Sequence, residues 1–119
     1  MVAGERERAM RPEDLTRLFV ERANAGDAEG MAELYTADAV MAYPPGQLTV
    51  GRSAMLALFH DMVASRPQFR AEQPLPTLRA GDVALTATPS ADGHGTRVQV
   101  VVRQSDGSWL RLIDRPEAI

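Results

Sequence analysis

The stretch "TRVQVVVRQSDGSWLRLID", residues 96–114, contains two runs of valine, leucine and other strand-forming residues on either side of "SDGS". Such runs are typical of β-strands. Gly107 permits the positive φ that a tight turn between them requires. The stretch therefore predicts an antiparallel hairpin near the end of the chain.

The hairpin continues a series of strands that begins after Pro67. In "DVALTATPSADG", residues 82–93, larger apolar residues alternate with smaller or polar ones, a period of two that predicts a further strand. The preceding segment "QFRAEQPLPTLRAG", residues 68–81, is mixed and is interrupted by Pro74 and Pro76. The second half of the chain is therefore expected to be a meander of antiparallel strands.

The first half of the chain has helical periodicity instead. Residues 11–26 predict a helix that ends at Gly26, where a left-handed conformation stops it. A shorter second helix is expected to start at Asp27, whose side chain caps free amides, and a third to cover about residues 53–65. The second helix is predicted to bury Met31, Leu34 and Tyr35.

Between the second and third helices, "AVMAYPPGQLTVGR", residues 39–52, predicts a strand near residues 39–43, a proline turn and a very short return strand. Because proline cannot donate a ladder hydrogen bond, these strands belong at a sheet edge. Helices that precede a strand meander favour an α+β fold. We expect one domain spanning residues 1–119, with disorder over residues 1–11, which have little to bury.

Composition narrows the function classes. The chain has 119 residues, 45 % of them apolar, a formal charge of −3 and a pI near 5.3, and its 13 basic residues are arginines scattered along the sequence. Without a basic cluster, neither nucleic acid nor a membrane is an expected partner. The start of the chain lacks the apolar core of a secretory signal and no apolar run is long enough to span a bilayer, so we expect a cytoplasmic protein.

The sequence offers little to a metal or a cofactor. It contains no cysteine and two histidines, His60 and His94, which are far apart and lack the spacing of metal ligands. No phosphate-binding glycine loop, serine-nucleophile elbow or dinucleotide fingerprint is present. We therefore predict no metal and no cofactor.

Four segments together resemble the nuclear-transport-factor-2-like (NTF2-like) superfamily, and its SnoaL-like and ketosteroid-isomerase-like bacterial branch in particular. They are "RANAGDAEGMAELYTADAVMAYPPG" (22–46), "GRSAMLALF" (51–59), "GDVAL" (81–85) and "VVVRQSDGSWLRLIDRP" (100–116). The resemblance implies a cone in which three N-terminal helices cover a strongly bent antiparallel sheet around an apolar pocket. It also implies a homodimer formed through the outer face of the sheet.

The resemblance argues against steroid isomerase activity. Ketosteroid isomerases use an aspartate base with a tyrosine and a neutral aspartic acid as oxyanion donors. The tyrosine position is occupied here by Phe19, the base position by Tyr43 or Ala42, and the second donor position by Val100. All three positions lack the required group.

On the same resemblance, alternate residues of the last two strands face the pocket and the others face outward. Asp114 is then the acid that approaches the pocket, a candidate for proton transfer, although it could instead accept backbone hydrogen bonds or pair with Arg115 or Arg52. Tyr43, at the rim, is a candidate donor to a ligand carbonyl or an ordinary edge-strand aromatic. The predicted ligand-binding walls are Phe19, Tyr35, Leu58, Val98, Val100, Val102 and Leu112, and the predicted outer face comprises Arg97, Gln99, Val101 and Arg103.

Two functions remain open from the sequence. The first is a small-molecule pocket protein that performs acid/base chemistry of the cyclase, dehydratase or isomerase kind on an apolar oxygenated substrate, using Asp114 and Tyr43. The second is a non-catalytic ligand-binding or dimeric interaction module that keeps the cone without the chemistry. Fold alone does not separate them.

Overall fold

The computed structural model describes residues 6–91 and 93–116. Within these ranges it has three helices, α1 (Asp14–Asn24), α2 (Ala28–Ala32) and α3 (Arg52–Ala64). The strands are β1 (Tyr35–Met41), β2 (Thr49–Val50), β3 (Leu78–Ala80), β4 (Val83–Pro89), β5 (Thr96–Arg103) and β6 (Trp109–Arg115). None of the helices in this described part has the length and apolar character that crossing a bilayer requires.

The strands form one six-stranded sheet in the order β2-β1-β6-β5-β4-β3. Strands β3 to β6 form the predicted antiparallel meander, and β1 with the short β2 forms the predicted edge pair. The α+β fold is therefore confirmed. One pairing differs from the all-antiparallel expectation, because β1 and β6 are parallel. They are joined by a long crossover, as a parallel pair requires.

Local signals place the end of α1 and the start of α2 where the sequence predicts them. Gly26 adopts φ +73° after α1, and the Asp27 side chain accepts a hydrogen bond of 3.0 Å from the Gly30 amide. The prediction that Tyr35 belongs to the second helix is wrong, since α2 ends at Ala32. The Leu34 carbonyl instead accepts a hydrogen bond from the Arg111 amide at 2.8 Å, so pairing with β6 makes Tyr35 the first residue of β1.

The chain before α1 packs against the end of the sheet. Ala9 is buried, and its carbonyl accepts a 2.8 Å hydrogen bond from the Trp109 amide. Residues 6–11 thus differ from the disorder expected over residues 1–11, because they have a strand end to bind. Residues 1–5 lie outside the described residues.

The face that β5 presents to the helices is the opposite of the predicted one. Gln99 and Val101 are buried, whereas Val98, Val100 and Val102 are less buried and alternate with them. The prediction that these three valines face the pocket, with Gln99 and Val101 outward, is wrong by one residue. In a strand such a shift moves every side chain to the other face.

Strand β6 contains a β-bulge that changes the alternation. Val100 pairs with Ile113, but the next residue, Val101, pairs with Arg111, so Leu112 is an extra residue on β6. A bulge of this kind changes the direction of the side chains that follow it. As a result Arg111 and Asp114, three positions apart, are both buried on the inner face of the sheet.

The core lies between this inner face and the helices. Leu15 and Leu18 of α1 and Met55 and Phe59 of α3 are each at most 2 % exposed. From the sheet side they meet buried residues of β1, β5 and β6, including Tyr35, Val101 and Trp109. Burial of such apolar surface, at about 25 cal/mol per Å², is the main stabilising term of the fold.

Candidate functional site

A cavity of about 430 Å³ opens between the helices and the inner face of the sheet. Its volume is in the range of small-molecule sites. Most of the residues that the helices contribute are apolar, whereas β4, β5 and β6 contribute polar side chains. The apolar wall includes Phe19, Met41, Phe59, Met62 and Phe69.

The sheet side of the cavity holds Asp114, whose two carboxylate oxygens both accept hydrogen bonds. The Tyr35 hydroxyl donates to Asp114 Oδ2 at 2.5 Å, and Gln99 Nε2 donates to Oδ1 at 3.1 Å. The Thr86 hydroxyl in turn donates to Gln99 Oε1 at 2.8 Å. We call Tyr35, Thr86, Gln99, Arg111 and Asp114 the buried polar network.

Arg111 supplies the positive charge of the buried polar network. Its Nη1 donates to the Tyr35 oxygen at 3.2 Å and lies 3.8 Å from Asp114 Oδ2. Its guanidinium also stacks on the Phe19 ring, 5.1 Å from the ring centre. Both members of the ion pair are at most 5 % exposed, so the attraction between them is screened little by water.

The environment fixes the protonation of Tyr35 and Arg111. Burial, and then the nearby charge of Asp114, raise the pKa of the Tyr35 phenol well above its ordinary value. Burial alone would lower the pKa of Arg111, but the interactions with Tyr35 and Asp114 outweigh it and the pKa is raised. At neutral pH Tyr35 is therefore a hydrogen-bond donor and not a base.

Strand register assembles the network. Gln99 of β5 is the partner of Thr86 on β4 and of Asp114 on β6. Cross-strand partners on one face have their Cβ atoms about 5 Å apart, so the three polar side chains form a row across the sheet. The β6 bulge then brings Arg111 to the same face, one row further along.

The segment between α3 and β3 contributes to the other end of the cavity. Asn24 binds the backbone of Phe69 twice, through Nδ2 to the carbonyl at 2.8 Å and through Oδ1 to the amide at 2.8 Å. Glu72 forms an ion pair with Arg97 of β5. These contacts hold Phe69 and Arg70 beside the cavity.

The structure brings together some of the predicted site residues. Asp114, Tyr43, Phe19 and Tyr35 all line the cavity. Leu58 is half-buried against the core and does not line it. The cavity lining also lacks four other predicted residues, Val98, Val100, Val102 and Leu112. The three valines lie on the other face of β5, and Leu112 is the extra residue of the β6 bulge.

The arginine that pairs with Asp114 differs from both of the predicted ones. Its ion pair is with Arg111 and not with Arg115 or Arg52. Arg52 instead donates from Nε and Nη2 to the Tyr35 carbonyl, at 2.9 and 2.6 Å. Arg52 thus supports the backbone that carries Tyr35, outside the cavity.

Sequence reasoning missed Arg111, Gln99, Thr86 and Arg97 as residues of the site. The available signal was a polar residue inside an otherwise apolar strand, as in "VQV" and "LRL". Such a residue faces either water or a buried partner, and the sequence does not distinguish the two. Within the described residues, no three His, Cys, Asp or Glu side chains come close enough to form a metal-binding group.

A second, more polar cleft of about 790 Å³ lies where residues 6–9 cross the end of the sheet. Arginines that line this cleft form ion pairs and hydrogen bonds with other residues of the chain. Arg6 forms an ion pair with Asp27 at 2.7 Å, and Arg22 donates to the carbonyls of Glu7 and Gly30. These contacts fasten the start of the chain to the α1–α2 region.

Comparison with known proteins gives a family match over most of the chain. The family described as a SnoaL-like domain matches residues 16–112. No curated protein matches the sequence.

Solved structures with the same fold share little sequence with this chain. One is a proposed calcium/calmodulin-dependent protein kinase type II association domain from Thiobacillus denitrificans, with a TM-score of 0.72 and 17 % identity over 94 % of this chain and 99 % of that one. A ketosteroid isomerase-like protein from Erwinia carotovora atroseptica has a TM-score of 0.68 and 19 % identity over 87 % and 89 %. A proposed dehydratase of the NTF2-like family from Streptomyces avermitilis has a TM-score of 0.64 and 17 % identity over 90 % and 93 %. At these identities the likeness concerns the fold.

Proposed function

The chain belongs to the SnoaL-like domain family, and from that premise we propose that it is a small-molecule enzyme in which Asp114 performs acid/base chemistry on an apolar oxygenated substrate. The reaction class is that of an isomerase, dehydratase or cyclase. The observation that carries the proposal is the buried polar network at one side of an apolar cavity. A carboxylate, the phenol that donates to it and a guanidinium in one cavity supply a proton acceptor, a group that holds it in position and a compensating charge.

The proposed step is removal of a proton from carbon next to a carbonyl. Asp114 accepts the proton, the C–H bond breaks, and the electron pair moves onto the carbonyl oxygen. An isomerase returns the proton to a different carbon, whereas a dehydratase expels a hydroxyl group that takes up a proton. Tyr43, a half-buried residue that lines the cavity, orients the carbonyl or hydroxyl of the substrate.

The remaining network residues hold Asp114 in position. The Tyr35 and Gln99 hydrogen bonds fix both carboxylate oxygens, and Arg111 balances the carboxylate charge at 3.8 Å. Each carboxylate oxygen has lone pairs beyond the one used in these bonds, so Asp114 keeps capacity for a substrate proton. On the family resemblance, Phe19 stands at the position of the helix tyrosine, so this oxyanion donor of the ketosteroid isomerases is not available to the proposed enzyme.

Hydrogen–deuterium exchange tests this proposal directly. Cyclic ketones with acidic α-hydrogens are incubated in D2O with the wild type and with Asp114→Asn, and deuterium at the α-carbon is measured by NMR. We expect exchange above the buffer rate with the wild type and at least a hundredfold less with Asp114→Asn. Equal exchange rates for the two proteins would exclude Asp114 as the base.

A second candidate, the interaction module, is favoured by the outer face of the sheet. Val83, Leu85 and Ile113 are 46 %, 37 % and 50 % exposed. Leu85 and Ile113 are the cross-strand partners of Val100, and Val83 is that of Val102. An exposed apolar area on a sheet marks an interaction surface. We propose that two copies of the chain associate through this face. Under this second candidate function, the dimer binds ligands or partners without turnover.

One experiment tests the dimer and another separates the two candidates. Sedimentation velocity at micromolar concentrations measures the dimer, and a monomer throughout that range would exclude it. Saturable binding of a hydrophobic dye without any ketone exchange would favour the module over the enzyme. The cytoplasmic location stays a prediction from the sequence.

A further inference from the structure

We propose that the cavity selects an apolar carboxylic acid, bound as a monoanion with its carboxylate at Arg111, over neutral molecules of the same shape. The inference rests on the proposed function and names its substrate class. In this arrangement the reacting carbon lies within a few bonds of the carboxylate, because Arg111 and Asp114 are 3.8 Å apart.

The charged side chains among the described residues that line the cavity leave a positive excess. Arg70, Arg97 and Arg111 are opposed by two carboxylates among the described lining residues, Glu72 and Asp114. Glu72 is paired with Arg97 and Asp114 with Arg111, whereas Arg70 has no ion pair within the described ranges. A ligand with one negative charge would balance the excess of these described side chains, and a neutral ligand would leave it in place.

Arg111 has an unused donor. Two of its nitrogens bind the Tyr35 and Thr16 oxygens, but Nε, although buried, finds no acceptor in the part of the chain that the structure describes. A buried N–H without a partner costs free energy, and one from a charged group costs more. A carboxylate oxygen is the acceptor that a guanidinium binds best.

A second unpartnered group faces the same cavity from another strand. The Thr88 hydroxyl on β4 is buried and has no hydrogen-bond partner among the described residues. It is the cross-strand partner of Arg97, while Arg111 is the partner of Val101 four residues further along β5. The cavity therefore has two unused hydrogen-bonding groups, separated along the sheet, which favours an oxygen-bearing ligand over a hydrocarbon.

The rest of the wall suits the apolar body of such an acid. Phe19 and Phe59 stack edge to face with ring centres 5.8 Å apart, and Met62 and Phe69 continue the apolar surface. A volume of about 430 Å³ lies toward the lower end of small-molecule sites. A molecule with one or two rings and one carboxylate matches both features.

The test compares two probes of nearly the same shape, 2-naphthoate and 2-naphthamide, by isothermal titration calorimetry at pH 7.5 and low salt. The first is a monoanion and the second is neutral. We expect the wild type to bind 2-naphthoate at least tenfold more tightly than 2-naphthamide. We also expect this ratio to shrink as salt is added, because charge attraction near the open side of the cavity is screened.

Two variants assign the preference to the cavity arginines. Arg111→Met is expected to weaken 2-naphthoate binding at least tenfold and 2-naphthamide binding less than threefold. Arg70→Gln, an exposed change that leaves the core intact, is expected to lower the preference about threefold even where Arg111→Met does not fold. Arg103→Gln is the matched control, since it removes the same charge from an exposed site paired with Asp82 outside the cavity, and it should leave both affinities unchanged.

The outcomes separate this inference from the proposed function. Equal saturable binding of both probes would overturn selection for an anion while leaving an apolar pocket that could serve the proposed enzyme. A preference that survives Arg70→Gln and Arg111→Met, or that falls equally in Arg103→Gln, would overturn the assignment to the cavity. Binding of neither probe to folded wild type would overturn both.

Discussion

The Tyr35 hydroxyl lies 2.5 Å from Asp114 Oδ2, although the two residues are 79 positions apart in the chain. The contact joins the first residue of β1 to the end of β6 across the parallel strand pair. It links the packing of the sheet to the candidate chemistry, because the same hydroxyl also accepts from Arg111.

Removal of this hydroxyl is expected to destabilise the protein. Tyr35→Phe leaves Asp114 without one donor and Arg111 without one acceptor in a buried site, and should lower the free energy of unfolding by about 1–3 kcal/mol. Urea denaturation followed by circular dichroism measures the change. Tyr43→Phe, at the half-buried cavity edge, is the matched control and should change stability by less than about 0.5 kcal/mol; equal losses in the two variants would contradict the role of the network.

Stability should also fall in alkali because of Tyr35. Its pKa is raised in the folded state and is about 10 in the unfolded chain, so the folded protein holds this proton more tightly. The resulting stabilisation is complete below pH 10 and is lost as pH rises toward the folded pKa. With no lysine or cysteine in the sequence, we expect a loss of about 1.4 kcal/mol between pH 8 and pH 11 from this one group.

Unfolding of Tyr35→Phe over the same pH range is the control for the alkaline loss. The variant lacks the phenol and should have a flatter stability profile than the wild type. Identical slopes for the two proteins above pH 10 would show that another group causes the loss.

The charges of Arg111 and Asp114 should be strongly coupled. Arg111→Met leaves a buried carboxylate without its cation, and Asp114→Leu leaves a buried cation, so each single change should cost about 3–5 kcal/mol. The double variant removes both charges. Its loss of unfolding free energy should be smaller than the sum of the two single losses by at least about 1 kcal/mol. A double-mutant cycle from denaturant unfolding measures the coupling, and additive losses would mean that the two charges act independently.

Self-association should depend on the outer face of the sheet. Val100→Asp places a charge among Leu85 and Ile113, where burial of an unpaired carboxylate opposes association. Sedimentation should show a dissociation constant raised at least tenfold, while binding of 2-naphthoate in the cavity is retained. Ser105→Asp, in the exposed turn before β6, is the control that adds the same charge away from that face.

The element order was predictable from the sequence because its signals are local. Helical periodicity, the glycine stop at Gly26, the Asp27 cap and the "SDGS" turn each act within a few residues. They gave the α+β fold and the strand meander. Asp114, Tyr43 and Phe19 were predicted as site residues on the family resemblance, and Tyr35 was predicted as a pocket wall; all four line the cavity.

The partners within the site depend on tertiary structure. The bulge at Leu112 changes which β6 residues face inward, and no turn residue or proline marks it in "WLRLID". Strict alternation, applied to the facing that the resemblance implies, therefore placed Asp114 correctly but put Leu112 in place of Arg111 on β6. On β5 it was wrong by one residue and turned Gln99 outward. A valine in β5 fits equally well in the core and on an outer face that another subunit covers. Hydrophobicity therefore did not show which face of β5 points toward the core.

The sequence by itself determined the helices, most of the strands, the edge position of the proline segment and the presence of an acid near the end of the last strand. Only the tertiary structure decided that Asp114 binds Tyr35, Gln99 and Arg111. The physical reason is the separation along the chain of the residues that interact. Secondary structure follows from contacts between near neighbours in the chain, whereas these side chains meet through the parallel β1–β6 pairing, the β4–β5–β6 register and one bulge, which are fixed only when the whole sheet packs against its helices.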